Sequence, residues 1–332
     1  MLTLMPPAVR YAQLPTEQPN PRTRALDRLP VERVLRLINQ EDALVPRAVS
    51  RSIPRIAAAV NLIVRALRHG GRLFFLGAGT SGRLGVLEAA ECPPTFQTPP
   101  SMVQALIAGG RPAVFRSREG AEDDRIDARA TIRRRVRSGD AVVGIAASGI
   151  TPFVSAGLQA AKARGASTIL LTCHAKFRRP PFVDACIVAA TGPEILAGST
   201  RLKAGTATKL LLNMLTVASM VQLGKVYGHW MVDVRPTSRK LTARALRLIQ
   251  QLGGVSPQQA KRLLAQSGKQ VKVAIVMARR GLDAPAARAL LAQHDGMLRK
   301  ILAKTPNTKF SALAFSALGG SAFGGQAPNK LQ

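Results

Sequence analysis

Acidic residues are what this chain most lacks. Asp and Glu number 18 against 48 Lys and Arg in 332 residues, a formal net charge of +30. Aromatic residues are also scarce, at 4%, so the core has to be built from Leu, Val, Ile and Ala within the 46% that is hydrophobic. The same scarcity excludes an RNA-binding surface built on stacked aromatic side chains. Cysteine occurs only as Cys92, Cys173 and Cys186. An odd number at wide spacing excludes a disulfide framework and points to a reducing compartment. No Cys–His cluster has zinc spacing, and no metal or other cofactor is expected. Residues 1–18 lack the continuous apolar segment of a leader. The longest apolar run, Leu210 to Leu223, is interrupted by Asn213 and falls short of a bilayer span. The expectation is a cytoplasmic protein with no membrane partner. Arg supplies 35 of the basic residues and no Lys precedes Lys162, so the excess charge reads as a compositional bias spread along the chain. The run Arg133-Arg134-Arg135-Val136-Arg137 reads as a solvated helix face. Nucleic acid is therefore not expected as a partner, while a basic surface still favours anionic ligands.

What is present is an alternation of short apolar runs and longer helical patterns. Strands are predicted near 72–77, 102–107, 140–146, 168–172 and 185–190, with helices near 82–91, 114–137, 152–164 and, more weakly, 175–182. Continuous apolar strands between helices predict a parallel α/β sheet covered on both faces. If the order is 2-1-3-4-5, strands 1 and 3 are neighbours at the switch point where such sheets bind ligands. Ahead of the sheet, residues 14–24 read as an extended arm, and 30–39 and 46–68 as helices with Ile53, Ile56, Val60, Ile63, Val64 and Leu67 on one side. After it, residues 199–223 form a long helix. Four short amphipathic helices follow at 238–252, 256–266, 271–280 and 284–293, with Ser256-Pro257 as an N-cap and first-turn Pro. The chain divides into a loose extension (1–13), an arm with helices (14–68), a sheet domain (69–236), a small helical domain (237–304) and a disordered tail (305–332).

Two of the strands run into the same kind of loop. Leu73–Leu76 leads into Gly77-Ala78-Gly79-Thr80-Ser81-Gly82-Arg83, and Ala141–Ile145 into Ala146-Ala147-Ser148-Gly149-Ile150-Thr151-Pro152. A strand–loop–helix junction presents unpaired backbone N–H groups and the positive end of a helix dipole. Glycines let a ligand approach and hydroxyls add donors, which suits a phosphate. Either loop alone is as readily a plain turn. Two at adjacent strand ends point to one phosphorylated ligand held from both sides.

The few carboxylates are informative because they are few. Five crowd into residues 119–127, where Asp123, Asp124 and Asp127 read as acids enriched at a helix start. Glu91 stands just before Cys92-Pro93-Pro94, where the helix is expected to end. A carboxylate at a helix C-terminus favours its protonated form and suits general acid–base chemistry; the bland reading is a surface Glu. Ten residues of helix put it roughly 15 Å from Ser81, too far for one sugar to span, so it is expected at a subunit interface. In the third cluster, residues 192–209, Ser199 is a candidate N-cap with Arg201 and Lys203 near the helix start. Cations there oppose the dipole, a conflict that a bound anion would relieve.

Taken together, the GAGTSGR loop, Glu91-Cys92-Pro93-Pro94-Thr95, Glu119–Asp123, the Gly144–Gly149 loop, GSTRLKAGTATK and Met231-Val232-Asp233-Val234 resemble the N-acetylmuramic acid 6-phosphate etherases. The likeness runs from about Thr16 to about Leu302 and keeps the motif order. It implies a sugar isomerase (SIS) type sheet sandwiched by helices, a small C-terminal helical domain and a homodimer acting in cell-wall recycling. It also implies cleavage of the substrate's D-lactyl ether to N-acetylglucosamine 6-phosphate and D-lactate. By resemblance, Glu91 matches the acid that protonates the departing ether oxygen and Glu122 the base at C2. Thr80, Ser81, Ser148 and Thr151 match the sugar-phosphate pocket, and Glu194, Ser199, Arg201 and Lys203 lie in the signature that lines it.

Departures from the pattern are Ile150 where Arg is usual, Leu202 for Met, His229-Trp230 for Asn-Leu and Thr237-Ser238 for Thr-Asn. His229 reads as a packed or surface His. Two other readings stay open. A non-catalytic sugar-phosphate regulator of the glucokinase-regulatory type shares much of the signature but usually carries two isomerase-type domains. A sugar-phosphate-responsive DNA-binding regulator needs a helix-turn-helix, for which 238–302 is the one candidate.

Overall fold

The computed structural model describes residues 14–302. The expected extension at 1–13 and the expected tail at 305–332 lie outside the described residues. Five strands, β1 (Leu73–Gly77), β2 (Val103–Ile107), β3 (Ala141–Ile145), β4 (Ser167–Thr172) and β5 (Ala185–Val188), form a parallel sheet in the order β2-β1-β3-β4-β5. Strands β1 and β3 at its centre are apolar at every position because both faces are covered. Leu73, Phe75, Val143, Ile145, Ile169 and Leu171 face one layer. It is built from α2 (Val45–Ser50), α3 (Ile53–Arg68), α4 (Gly79–Phe96) and α8 (Lys203–Gln222). Phe74, Leu76, Val142 and Leu170 face the other, with α6 (Arg125–Arg135) and α7 (Pro152–Ala163). Phe74 and Phe75 are fully buried on opposite faces; truncating either costs on the order of 3–5 kcal/mol.

Glycines let the helices sit close on β1. A Cβ on Gly85 of α4 would meet the Phe75 Cβ at 2.9 Å, and one on Gly157 of α7 would strike Leu76. One helix on each face is thereby drawn against the same strand, and because α4 follows β1 and α7 follows the parallel β3, both helices start at the carboxyl edge of the sheet.

The remaining elements are α1 (Val31–Asp42), a short α5 (Pro112–Phe115), a hairpin of β6 (Val226–Tyr227) and β7 (Trp230–Met231), and the C-terminal helices. These are α9 (Arg239–Gly253), α10 (Pro257–Gln266), α11 (Val271–Arg280), α12 (Ala284–Gln293) and α13 (Leu298–Leu302). They enclose a separate apolar cluster around Leu248, Ile249, Ala274 and Ile275. Ser256 caps α10 with Pro257 in its first turn, as expected, and Gln259 completes a reciprocal cap.

Several elements differ from the sequence expectation. The helix over 46–68 breaks at Ser52, because Pro54 in the first turn of α3 has no N–H with which to continue α2. Ile53 falls off the buried face and is 55% exposed. The helix over 114–137 is three pieces, α5, a 3-10 turn at Ala121–Asp123 and α6, with Gly120 at φ +74° interrupting it. No helix forms over 175–182, where Pro180-Pro181 disfavours helical geometry for Arg179. The arm folds into turns rather than running extended.

The largest departure concerns Glu91. Helix α4 does not stop at Cys92 but carries Pro93 and Pro94 inside it and ends at Phe96, capped by Gln97 at φ +53°. Cys92 and Phe96 are buried in the core, which offsets the lost backbone bonds. Glu91 is therefore more than a turn from the helix end, and the dipole argument for its acidity falls away. Helix α8, 20 residues, passes for a bilayer span by length and composition alone, although its apolar run is interrupted by Asn213. It packs against α2, α3 and α4, with Leu211, Leu212 and Leu215 fully buried in the sheet core.

Candidate functional site

The adjacent ends of β1 and β3 open into a cavity of about 500 Å³. It brings together Thr80, Ser81, Ser148, Thr151 and Glu122 from the residues singled out in the sequence. Each is positioned by local chain geometry. Ala78 caps α4 with no side-chain bond, and the first intrahelical donor is Gly82, bonded to the Ala78 carbonyl at 3.2 Å. The N–H groups of Gly79, Thr80 and Ser81 thus precede the helical ladder. Thr151 caps α7, again with no side-chain bond, and Pro152 removes the first donor there. Gly149 at φ +81° turns the β3 loop, and the Ser148 hydroxyl accepts from the Ile150 N–H at 3.4 Å.

Two helix starts therefore aim at one cavity, with hydroxyls beside them. Among the described residues its lining carries no cationic side chain; its charged members are Glu17, Glu122 and Asp123. Within the lining, positive potential comes from the helix starts and their N–H groups, an arrangement suited to a tetrahedral oxyanion. Ile150, standing where a guanidinium is usual, is part of the lining.

The acidic run divides. Asp124 caps α6, accepting from the Asp127 N–H at 2.8 Å, as expected for acids at a helix start. Asp123, assigned to the same role from sequence, instead lines the cavity next to Glu122 on the 3-10 turn.

Glu91 is not in this cavity. It borders a second hollow of about 400 Å³ between α4 and α8, together with Glu88, Lys209, Asn213 and Thr216. Glu88, one turn before it and buried, accepts from the Thr216 hydroxyl at 2.5 Å and pairs with Lys209 at 3.1 Å. Around them Leu87, Met214, Val217 and Val221 are each about 40% exposed or more, an uncovered apolar face.

The residues of the third cluster are dispersed. Glu194 is fully buried, and its carboxylate accepts from the Lys203 and Ala204 N–H groups, each at 2.9 Å. It, and not Ser199, caps α8. Burial pushes its carboxyl up from the ordinary value, against those two hydrogen bonds. Lys203 is 2% exposed and pairs with Glu41 of α1 at 2.5 Å, so a carboxylate, not a ligand, answers the conflict at the helix start. Burial works to raise the Glu41 carboxyl, but Lys203, Asn20 and Arg22 outweigh it and hold it low. Ser199 and Arg201 lie outside the cavity lining. His229 is exposed in the hairpin turn, its ring 4.4 Å from that of Trp230.

The sequence reading missed Leu14, Thr16, Glu17, Gly198 and Thr200 in the lining. No periodicity marks a turn-rich arm, and nothing in its order shows which surface it crosses. A wider groove of about 950 Å³ along β2 and α6 collects Arg111, Arg118, Arg134 and Arg135. It holds neither helix start nor the paired strand ends, and the candidate site is the smaller cavity.

Residues 55–162 match the family described as the glucokinase regulatory protein N-terminal SIS domain. Relatives named N-acetylmuramic acid 6-phosphate etherase cover most of the chain. That of Mesorhizobium japonicum is 52% identical over 87% of this chain and 95% of its own. That of Synechocystis sp. is 49% identical over 88% of this chain and 96% of its own. A solved structure, a phosphoheptose isomerase from Francisella tularensis, shares 16% identity over 55% of this chain and 97% of its own, with a TM-score of 0.41. On the strength of the near-full-length identity to the etherases, the chain belongs to the N-acetylmuramic acid 6-phosphate etherase family.

Proposed function

We propose that the strand-end cavity binds N-acetylmuramic acid 6-phosphate in its open-chain form, with the phosphate at the starts of α4 and α7. The observation that carries this is the convergence of two uncapped helix starts and four hydroxyl-bearing residues, Thr80, Ser81, Ser148 and Thr151, on one cavity. The enzyme is a carbon–oxygen lyase. In the open-chain sugar the C2 proton is acidified by the neighbouring aldehyde. Glu122, in the same lining, takes that proton; the C3–O bond breaks, and a second acid gives the departing lactyl oxygen its proton. Water then adds across the C2–C3 double bond, its oxygen to C3 and a proton to C2, leaving N-acetylglucosamine 6-phosphate and D-lactate. Every atom is accounted for by substrate and one water.

The second acid is assigned to Glu91, by its likeness to the family motif. Its distance along α4 from Ser81, about 15 Å, supports the reading that it serves a ligand held by a second copy. The uncovered apolar face around it, with Leu87, Met214, Val217 and Val221, supports a homodimer formed there. Ser199 and Arg201 are assigned to the same interface-borne site, while Glu194 and Lys203 act on it by fixing the start of α8. A cytoplasmic location is consistent with three unpaired cysteines and a phosphorylated substrate.

The regulator reading rests on the match over residues 55–162, against likeness to etherases over 87% of the chain. The test is lactate release from N-acetylmuramic acid 6-phosphate. Reaction in D2O should place deuterium at C2 of the sugar product. Glu91→Gln and Glu122→Gln should each lose at least a hundredfold in turnover, the usual scale for a general acid or base, while still binding product. Turnover at the wild-type rate by either variant would refute its role.

A further inference from the structure

One carboxylate in the cavity has no part in that scheme. Glu17 lies on the N-terminal arm, which is pinned where it crosses the cavity. Leu14, Thr16 and Asn20 are each 6% exposed or less. The Thr16 carbonyl accepts from the Gly198 N–H at 2.9 Å, and the Glu17 N–H donates to the Leu14 carbonyl at 3.0 Å. Beyond Glu17, Asn20 caps a turn, and Arg22 from that turn pairs with Glu41 at 2.9 Å, the carboxylate that also holds Lys203.

The loop opposite is shaped around this side chain. Gly198 has φ +80°, and a Cβ built on it would stand 3.0 Å from the Glu17 Oε2. The Thr16 hydroxyl donates to Oε1 at 3.4 Å, and among the described residues no cation pairs with the carboxylate. In a chain of net charge +30 an unpaired carboxylate at a phosphate cavity runs against the prevailing charge. It also repels the anionic end of the ligand. An ionised carboxylate only accepts hydrogen bonds, so it contributes where a ligand brings donors. The neutral part of an N-acetylated sugar phosphate brings hydroxyl and amide N–H groups.

We propose that Glu17 is a substrate-positioning residue, accepting hydrogen bonds from hydroxyl or amide N–H groups of the bound sugar. This rests on the etherase reading of the same cavity. It makes the arm part of the binding site and gives the site a means of disfavouring anions that lack sugar donors, since an exposed carboxylate at the cavity repels an anion that offers it no hydrogen bond in return.

The test uses the full chain and two ligands, N-acetylglucosamine 6-phosphate and inorganic phosphate, with binding read by calorimetry. Glu17→Ala should weaken sugar-phosphate binding by about tenfold or more, the scale of one hydrogen bond to a charged group. Inorganic phosphate should bind it at least as well as it binds the wild type. In lactate release the loss should appear mainly in KM rather than kcat. Gly198→Ala, which displaces the carboxylate, should reproduce the sugar-phosphate defect. If Glu17→Ala does not fold, Glu17→Gln, which keeps the shape and one acceptor, carries the test with an intermediate loss. Wild-type affinity for the sugar phosphate in a folded variant would overturn the proposal, as would parallel weakening of inorganic phosphate or a collapse of kcat at constant KM. A wild-type protein that binds the sugar phosphate through Glu17 yet releases no lactate would instead overturn the etherase reading.

Discussion

Hydroxyls and backbone N–H groups, not cations, line the strand-end cavity, and this sets what single substitutions can do. On the proposed reading, removing the Ser81 or Ser148 hydroxyl takes one donor from a phosphate that keeps several others. We expect Ser81→Ala and Ser148→Ala each to raise KM by about tenfold, the worth of one hydrogen bond to a charged group. Saturation curves of lactate release check this, and unchanged curves would remove either residue from the phosphate pocket. These residues were legible because a Gly and hydroxyl-rich loop after an apolar strand has few other reasons to exist beside a second one. Glu17 was not legible. It sits among Pro, Thr and Gln in an arm whose contact with Gly198 spans most of the sheet domain in sequence.

Element boundaries decide the fate of the charged side chains. The start of α8 was read from sequence as a conflict between cations and the helix dipole. The structure resolves it internally, with Glu194 capping the helix and Glu41 paired to Lys203. Breaking that pair leaves Glu41 buried without its main partner, and Lys203→Met should cost roughly 3–5 kcal/mol in a denaturant melt. The pH dependence follows from sign. The Glu41 carboxyl is held below its ordinary 4.5, so the folded state stays ionised where the unfolded chain has taken a proton. Its contribution is complete above that ordinary value and is lost as pH falls through the lowered one. Asp184, lowered through Lys162 and Thr168 against burial, acts in the same direction. Glu194, raised by burial, acts oppositely, adding stability at low pH that is lost as pH rises through its raised value. Melting midpoints of wild type and Lys203→Met should therefore converge as pH falls from the ordinary 4.5 through the lowered value of Glu41; a constant gap would remove Glu41 as the source. Helix α4 teaches the same lesson, since Pro93-Pro94 reads as a stop yet two buried side chains, Cys92 and Phe96, carry the helix on through it.

At the scale of the molecule, the separation of Glu91 from Glu122 matters most. If acid and base meet only across a two-fold axis, two inactive variants should complement each other. Glu91→Gln and Glu122→Gln, unfolded together and refolded in equal amounts, should regain roughly a quarter of wild-type lactate release, because half the dimers are mixed and each mixed dimer has one intact site. No recovery would place both groups in one subunit. Size-exclusion of Val217→Glu, which puts a charge on the exposed apolar face, should show monomer if that face is the interface.

The order of the strands, their parallel pairing, the paired strand-end loops and four of the five helices after the hairpin were determined by the sequence itself. Each depends on local periodicity, turn chemistry and capping, which act within a few residues. The tertiary structure alone decided which side chains meet. It folded the arm over the cavity, placed Asp123 at the cavity lining, buried Lys203 against Glu41 and set Glu91 on an outer face. Those outcomes depend on contacts between residues far apart in the chain, where packing and the cost of burying charge outweigh any local preference.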